Sequence, residues 1–155
     1  MFWEKRLVPI GFQSLSLSLW KKWTMNYTMI REAEMPRTFL FDTYAIMEII
    51  NKNKAYEKYL DSDIIINDFI FAELCYNLTK EKHPLLKETL DKYAQHISHA
   101  EPETIRKAME FRLKWKDRHV SIADCIGFMM AQELEIRFLT GDKEFELMEN
   151  VEFVK

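Results

Sequence analysis

Four acidic side chains stand in sequence positions where a carboxylate needs a reason: Asp42, Glu73, Asp124 and Asp142. Asp42 comes directly off the apolar run Phe39-Leu40-Phe41, and Asp142 stands two residues beyond a second run, Arg137 to Thr140. If both runs are strands of a parallel sheet, the two acids emerge at its carboxyl edge, where open α/β sheets bind ligands. Asp124 is the only charged residue between Ile122 and Ala131, a stretch apolar enough to predict a buried helix. Glu73 lies early in a helical stretch, on the flank of its apolar stripe, and points to the same end of the sheet. No Lys or Arg occupies a neighbouring apolar position to neutralise the group. Two carboxylates ~6 Å apart repel by roughly 3 kcal/mol at an effective dielectric near 20, so an empty cluster of four is unfavourable.

A divalent cation removes that repulsion. An all-oxygen donor set points to Mg²⁺ or Mn²⁺ and away from zinc, which favours His and Cys ligands. Such a site suits phosphodiester hydrolysis with water as nucleophile, because the cation lowers the pKa of water and offsets charge building on the phosphate. Thr43, Ser121 and Thr140 sit beside the acids and can hydrogen-bond a carboxylate or a phosphate oxygen, Ser121 also serving as a helix cap. Lys116, Arg118 and Lys143 are candidate contacts for substrate phosphates. The remaining acids, Glu144, Glu146, Glu149 and Glu152 among them, read as solvated surface.

The elements that must position these groups follow from periodicity. From Thr38 onward, short apolar runs alternate with longer helical ones, which predicts a parallel sheet with crossover helices. Strands are expected at residues 39–41, 64–66, 137–140 and 151–154, with a further short one at His96 to His99. Helices are expected after Asp42, over Tyr56 to Leu60, after an Asn67 or Asp68 cap, from Pro84 to about Gln95, from Pro102 to about Trp115, after Ser121, and from Lys143 to Met148.

Composition narrows the alternatives. The chain has 155 residues, 48% hydrophobic and 30% charged, which fits one folded domain and excludes disorder or a coiled-coil rod. A net charge of −3 excludes a wholesale basic coat for duplex DNA. With only Gly11, Gly127 and Gly141, there is neither a phosphate-cradling P-loop nor a dinucleotide fingerprint. The scattered histidines make no HExxH pattern, no G-x-S-x-G elbow occurs, and Tyr44 stands where a haloacid-dehalogenase-like phosphatase needs its second Asp. Cys75 and Cys125 lack partners at zinc-ligand spacing and read as free thiols in a reducing cytosol. No apolar run approaches the ~18 to 20 residues of a membrane-spanning helix.

Residues 1–35 differ in texture, being more basic than the rest, with Leu15, Leu17 and Leu19 alternating with serines as for a short strand or partner-binding edge. No small-residue cleavage site follows, so this is not read as an export signal. Met25, Met29 and Met35 are all possible translation starts, and the segment is expected to be an extension or a start-site artefact ahead of a domain at residues 36–155.

Four segments, Phe41-Asp42-Thr43-Tyr44-Ala45-Ile46, Phe71-Ala72-Glu73-Leu74, Ser121-Ile122-Ala123-Asp124 and Phe138-Leu139-Thr140-Gly141-Asp142-Lys143-Glu144-Phe145, together resemble the PIN domain in order and spacing. Within that family they resemble the VapC-type toxins of prokaryotic toxin–antitoxin pairs. The resemblance covers about residues 36–155. It implies a three-layer α/β fold with a doubly wound, mostly parallel sheet flanked by helices, and a Mg²⁺- or Mn²⁺-dependent endoribonuclease acting on single-stranded or loop RNA. Asp42, Glu73, Asp124 and Asp142 match the family's acidic quartet, with Asp42 and Asp124 expected nearest the metal, and Thr140 matches its small hydroxyl residue. It also implies a homodimer and a cognate antitoxin, while the free cysteines and the lack of a long apolar run lead us to expect a cytoplasmic location and no membrane partner. Tyr44 departs from the family pattern, which often holds a small residue there. An RNA-processing nuclease of the same fold without a toxin role, and a non-catalytic interaction module that keeps its acids as pocket residues, are the alternatives.

Overall fold

The computed structural model describes residues 38–155 together with Ser18, Lys21, Lys22 and Met25. The chain divides into two compact units, 1–35 and 36–155. In the first, Ser18, Lys21, Lys22 and Met25 are helical, and the leucines of the expected short strand lie outside the described residues.

The apolar runs of the second unit form a sheet of four parallel strands: β1 (Thr38–Phe41), β2 (Asp63–Ile65), β3 (Arg137–Thr140) and β4 (Val151–Phe153). Their spatial order is β2-β1-β3-β4. Phe39, Leu40 and Phe41 of β1 and Phe138 and Leu139 of β3 are buried, as strands covered on both faces require. Leu40 is in register with Ile65 on one side and Phe138 on the other. The first connection runs from β1 outward to β2, and the next crosses back over β1 to β3. With right-handed crossovers, those two connections cover opposite faces, so the sheet is doubly wound. Strand order therefore reverses between β1 and β3, the place where such folds open a crevice at the carboxyl ends.

Five α-helices flank the sheet: α1 (Thr43–Ile50), α2 (Asp68–Lys80), α3 (Leu86–Ala94), α4 (Pro102–Lys114) and α5 (Ile122–Glu133). Asn67 caps α2 by accepting from the Ile70 amide at 2.8 Å, and Pro102 opens α4 where its missing N–H is not needed. A short 3-10 helix at Lys54–Tyr59 buries two tyrosines whose hydroxyls find acceptors: Tyr56 donates to the Val154 carbonyl at 2.8 Å and Tyr59 to Glu152 Oε1 at 2.6 Å. Helix α5 is the best-buried helix, and Gly127 lets it come close. A Cβ there would lie 2.9 Å from Phe138, 3.0 Å from Ile70 and 3.2 Å from Leu40.

Three expectations change. The His96 to His99 stretch makes only one bridge, Ile66 with Ile97, because two hydrogen bonds to Ile66 exhaust the pairing before the chain moves away. Helix α3 starts at Leu86, since the carbonyl of His83 takes the Leu86 amide in a turn that uses up Pro84 and Leu85. The Lys143 helix stops at Phe145 as a single 3-10 turn, closed by Asp142 at its start. Cys75 and Cys125 are free thiols, the latter buried.

Candidate functional site

The chain leaves β1 and enters α1 at Asp42, which is buried to 2% exposure at the reversal point of the sheet. Its amide donates to the Leu139 carbonyl, so the sheet itself fixes the backbone beneath the carboxyl group. Thr140, the last residue of β3, donates its hydroxyl to Asp42 Oδ2 at 2.6 Å and accepts the Asp142 amide on the same oxygen at 3.0 Å. One threonine thus ties the acids after β1 and β3 together. Asp142 Oδ1 in turn accepts the Glu144 amide at 3.0 Å, which sets the turn beyond the strand.

The other two acids arrive from helices. At the start of α5, Ser121 and Asp124 form a reciprocal capping box: Ser121 Oγ accepts the Asp124 amide at 3.1 Å and Asp124 Oδ2 accepts the Ser121 amide at 2.8 Å. Glu73, in the second turn of α2, accepts from Thr43 Oγ1 at 3.1 Å. Thr43 and Thr140 therefore hold carboxylates through their hydroxyls, whereas Ser121 holds Asp124 through its backbone amide and uses its hydroxyl as the helix cap. Asp124 is not deeply buried as its apolar neighbours suggested, because the first turn of α5 opens onto a cleft and leaves Ile122 exposed and Asp124 half-buried.

The cleft has a volume of about 730 Å³, and Asp42, Glu73, Asp124 and Asp142 all line it. The oxygens do not crowd around one point: no group of three or more His, Cys, Asp or Glu among the described residues is arranged to enclose an ion. Of the other three acids, Asp124 acts most strongly on Asp42. Burial, first, and then the Asp124 carboxylate hold the pKa of Asp42 well above the usual carboxylate range, with Glu73 adding to the rise and the Thr140 hydrogen bond opposing it. None of the four acids forms an ion pair among the described residues. That donor set fits a hard divalent cation. Mg²⁺ in particular keeps several waters and takes one or two carboxylates directly, so a close pair with two acids further out is the expected form.

The cleft also holds residues that the sequence reading passed over. Glu48 of α1 and Asn51 at its C-terminal cap, and Asn77 of α2 and Glu81 at its C-terminal cap, line it, as do Tyr44, Glu144 and Lys155. The signal was present: Tyr44, Glu48 and Asn51 follow a helical face from Asp42's helix, and Glu73, Asn77 and Glu81 repeat every four residues along α2. Of the phosphate-contact candidates, Lys143 lines the cleft, whereas Lys116 and Arg118 do not. Arg118 is engaged elsewhere. Its guanidinium lies 3.8 Å from the Trp115 ring centroid, and its Nη1 donates to the Glu144 carbonyl at 2.7 Å.

A family model described as the PIN domain matches residues 39–151. The chain belongs to the PIN domain family. Among solved structures, this PIN protein is similar to a toxin–antitoxin complex from Klebsiella pneumoniae, with 17% identity and a TM-score of 0.61 over 74% of this chain and 95% of that one. It is similar to VapC20 of Mycobacterium tuberculosis, described as a sarcin–ricin loop cleaving toxin, with 14% identity and a TM-score of 0.63 over 76% of this chain and 99% of that one. VapBC2 from Rickettsia felis, described as bound to a fragment of its promoter DNA, matches at 21% identity and a TM-score of 0.60 over 76% and 99%. No curated protein sequence matches the chain. The parallel four-stranded sheet flanked by helices is the fold of these VapC relatives. Among the described residues, no helix is long and apolar enough to cross a membrane.

Proposed function

We propose that this PIN protein is a Mg²⁺- or Mn²⁺-dependent endoribonuclease and the toxin of a type II toxin–antitoxin pair, with residues 36–155 as its nuclease unit and residues 1–35 as an extension. The observation that carries the reading is the buried Asp42 facing Asp124 at the sheet reversal point, with Glu73 and Asp142 in the same cleft and no cationic side chain paired to any of them. Solved structures of similar fold, one described as a toxin–antitoxin complex and one as VapBC2 bound to promoter DNA, support the cellular role and an antitoxin as partner; a cytoplasmic location belongs to the same proposal. A homodimer is part of the same proposal.

Asp42 and Asp124 would hold the cation, with Glu73 and Asp142 further out. A divalent cation bound there activates water at neutral pH and neutralises charge on the scissile phosphate. Each inner acid spends one oxygen on a fixed donor, Asp42 on the Thr140 hydroxyl and Asp124 on the Ser121 amide, and keeps the other for the cleft. The donors are short side chains and backbone groups on packed elements, so the carboxylates are oriented before anything binds. Thr43 gives Glu73 the same treatment across the cleft.

The test is cleavage of a labelled RNA with Mn²⁺ present, alongside Mn²⁺ titration calorimetry. The wild type is expected to bind Mn²⁺ and cut, and both Asp42→Asn and Asp124→Asn to lose both properties while remaining folded. Either variant cutting at the wild-type rate refutes the assignment, and a wild type that binds no Mn²⁺ refutes it equally.

A further inference from the structure

Tyr44 is the cleft residue for which metal binding provides no role. It stands in the first turn of α1 between the buried Thr43 and Ala45, yet it is 40% exposed and lines the cleft beside the acids. The ring is not loose. A Cβ placed on Gly141 would lie 2.3 Å from Tyr44 Cε1 and 2.8 Å from its Cδ1, so the ring rests on the bare backbone of Gly141, one residue before Asp142. Gly141 has to be glycine for that approach, since the same Cβ would also meet the Val154 carbonyl oxygen at 2.6 Å. The result is an aromatic ring backed by main chain on one side and open to the cleft on another. Its phenol stays neutral, as burial and the nearby Glu48 carboxylate both raise its pKa.

Just past Asp142 the lining gains positive charge beside Glu144. Lys143 and Lys155 both line the cleft and are near enough to repel each other, with Asp142 and Glu146 acting on Lys155 in the opposite sense and neither lysine in an ion pair among the described residues. Two adjacent ammoniums are unfavourable alone and favourable around an anion. A pinned ring and a lysine pair on either side of a carboxylate therefore match the repeat of a nucleic-acid strand, in which flat bases alternate with anionic phosphates. A base reaches a protein ring only when it is out of its own stack, which selects an unpaired strand.

We propose that Tyr44 is the stacking platform for an unpaired nucleobase next to the cut, and that Lys143 and Lys155 hold the adjoining phosphate. The inference rests on the nuclease reading of the cleft and deepens it. The ring replaces specific hydrogen bonds with a contact that any base can make, so it positions the strand without selecting a sequence.

The experiment uses the full-length protein carrying Asp42→Asn, with oligoribonucleotides bearing single 2-aminopurine substitutions, together with steady-state cleavage by proteins retaining Asp42. Binding is expected to quench 2-aminopurine at one position. Adding Tyr44→Phe keeps the quench, whereas Tyr44→Leu, which keeps apolar bulk on Gly141, abolishes it and raises Kd by roughly five- to a hundredfold. In the cleaving protein the same Leu change raises KM more than it lowers kcat. Replacing Lys143 and Lys155 with Ala flattens the slope of log Kd against log salt by about 0.7, as for one lost single-strand phosphate contact. A wild type that cuts RNA while Tyr44→Leu binds, quenches and cuts unchanged overturns the platform and leaves the nuclease reading standing. A protein that neither binds nor cuts RNA in the presence of Mn²⁺ overturns both.

Discussion

Replacing Asp42 with Asn tests the electrostatics of the cleft independently of any substrate. Asn keeps the shape, still accepts from Thr140 through its amide oxygen, and presents an N–H where Asp42 faces Asp124. It is a permanent imitation of the protonated acid. The wild-type side chain has its pKa raised by burial and by Asp124, so the folded state binds a proton that the unfolded chain, titrating near ~3.9, gives up. Stability from this group is fully present below the unfolded value and is lost as pH rises toward the folded one, at up to about 1.4 kcal/mol per pH unit. Above the unfolded value, the metal-free wild type should therefore lose stability relative to Asp42→Asn progressively as pH rises toward the folded pKa, and no further beyond it. Thermal melts of both proteins between pH 4 and 8, with chelator and then with millimolar Mn²⁺, measure it. The two curves should diverge with rising pH in chelator, with Asp42→Asn the more stable, and Mn²⁺ should raise the wild type alone. Parallel curves in chelator would refute the reasoning, as would equal stabilisation of both proteins by Mn²⁺.

Two further outcomes follow from the same contacts. Thr140→Val removes both the hydroxyl given to Asp42 and the acceptor of the Asp142 amide while preserving shape, so it should cost about 1 to 3 kcal/mol in denaturant melts and reduce Mn²⁺ affinity by about 10- to 100-fold. Gly141→Ala forces a methyl into the space of Tyr44 and the Val154 carbonyl, and should cost about 1 to 3 kcal/mol in the same assay; combining it with Tyr44→Ala should recover part of the loss, leaving the carbonyl clash.

How much of this was legible in the sequence depends on how local each signal is. Phe39-Leu40-Phe41 and Phe138-Leu139 announce buried parallel strands because such strands are apolar on both faces, and the acids that follow them inherit a place at the sheet edge from that fact alone. Ser121 and Asp124 carry the spacing of a capping box, yet the box itself hides the acid's orientation, which depends on where α5 starts relative to the cleft. Glu48, Asn51, Asn77 and Glu81 read as ordinary helix surface because only the packing of α1 and α2 turns those faces toward a common space. Lys155 is further still from prediction, since its place beside Lys143 comes from the chain running out of β4 alongside β3. Arg118, whose position before α5 suggests a phosphate contact, rests on the Trp115 ring and donates to the Glu144 carbonyl, an arrangement no local pattern in the sequence announces.

The manner in which the acids are held explains why the cleft keeps its charge. A carboxylate can be positioned by a Lys or Arg, which also neutralises it, or by hydroxyls and amides, which orient it and leave most of its charge in place. Here Thr140, Thr43, Ser121 and the Glu144 amide do the positioning for Asp42, Glu73, Asp124 and Asp142 respectively, and each of those donors is neutral. Elsewhere in the same molecule acids are paired to cations freely, as Glu152 is to Arg137 at 2.6 Å and Glu133 to Lys107 at 2.9 Å. The contrast lies between the cleft acids and the rest of the fold. Neutral donors fix the geometry without neutralising the acids, so the buried Asp42 is relieved by holding a proton, and a divalent cation bound in the cleft would take that proton's place.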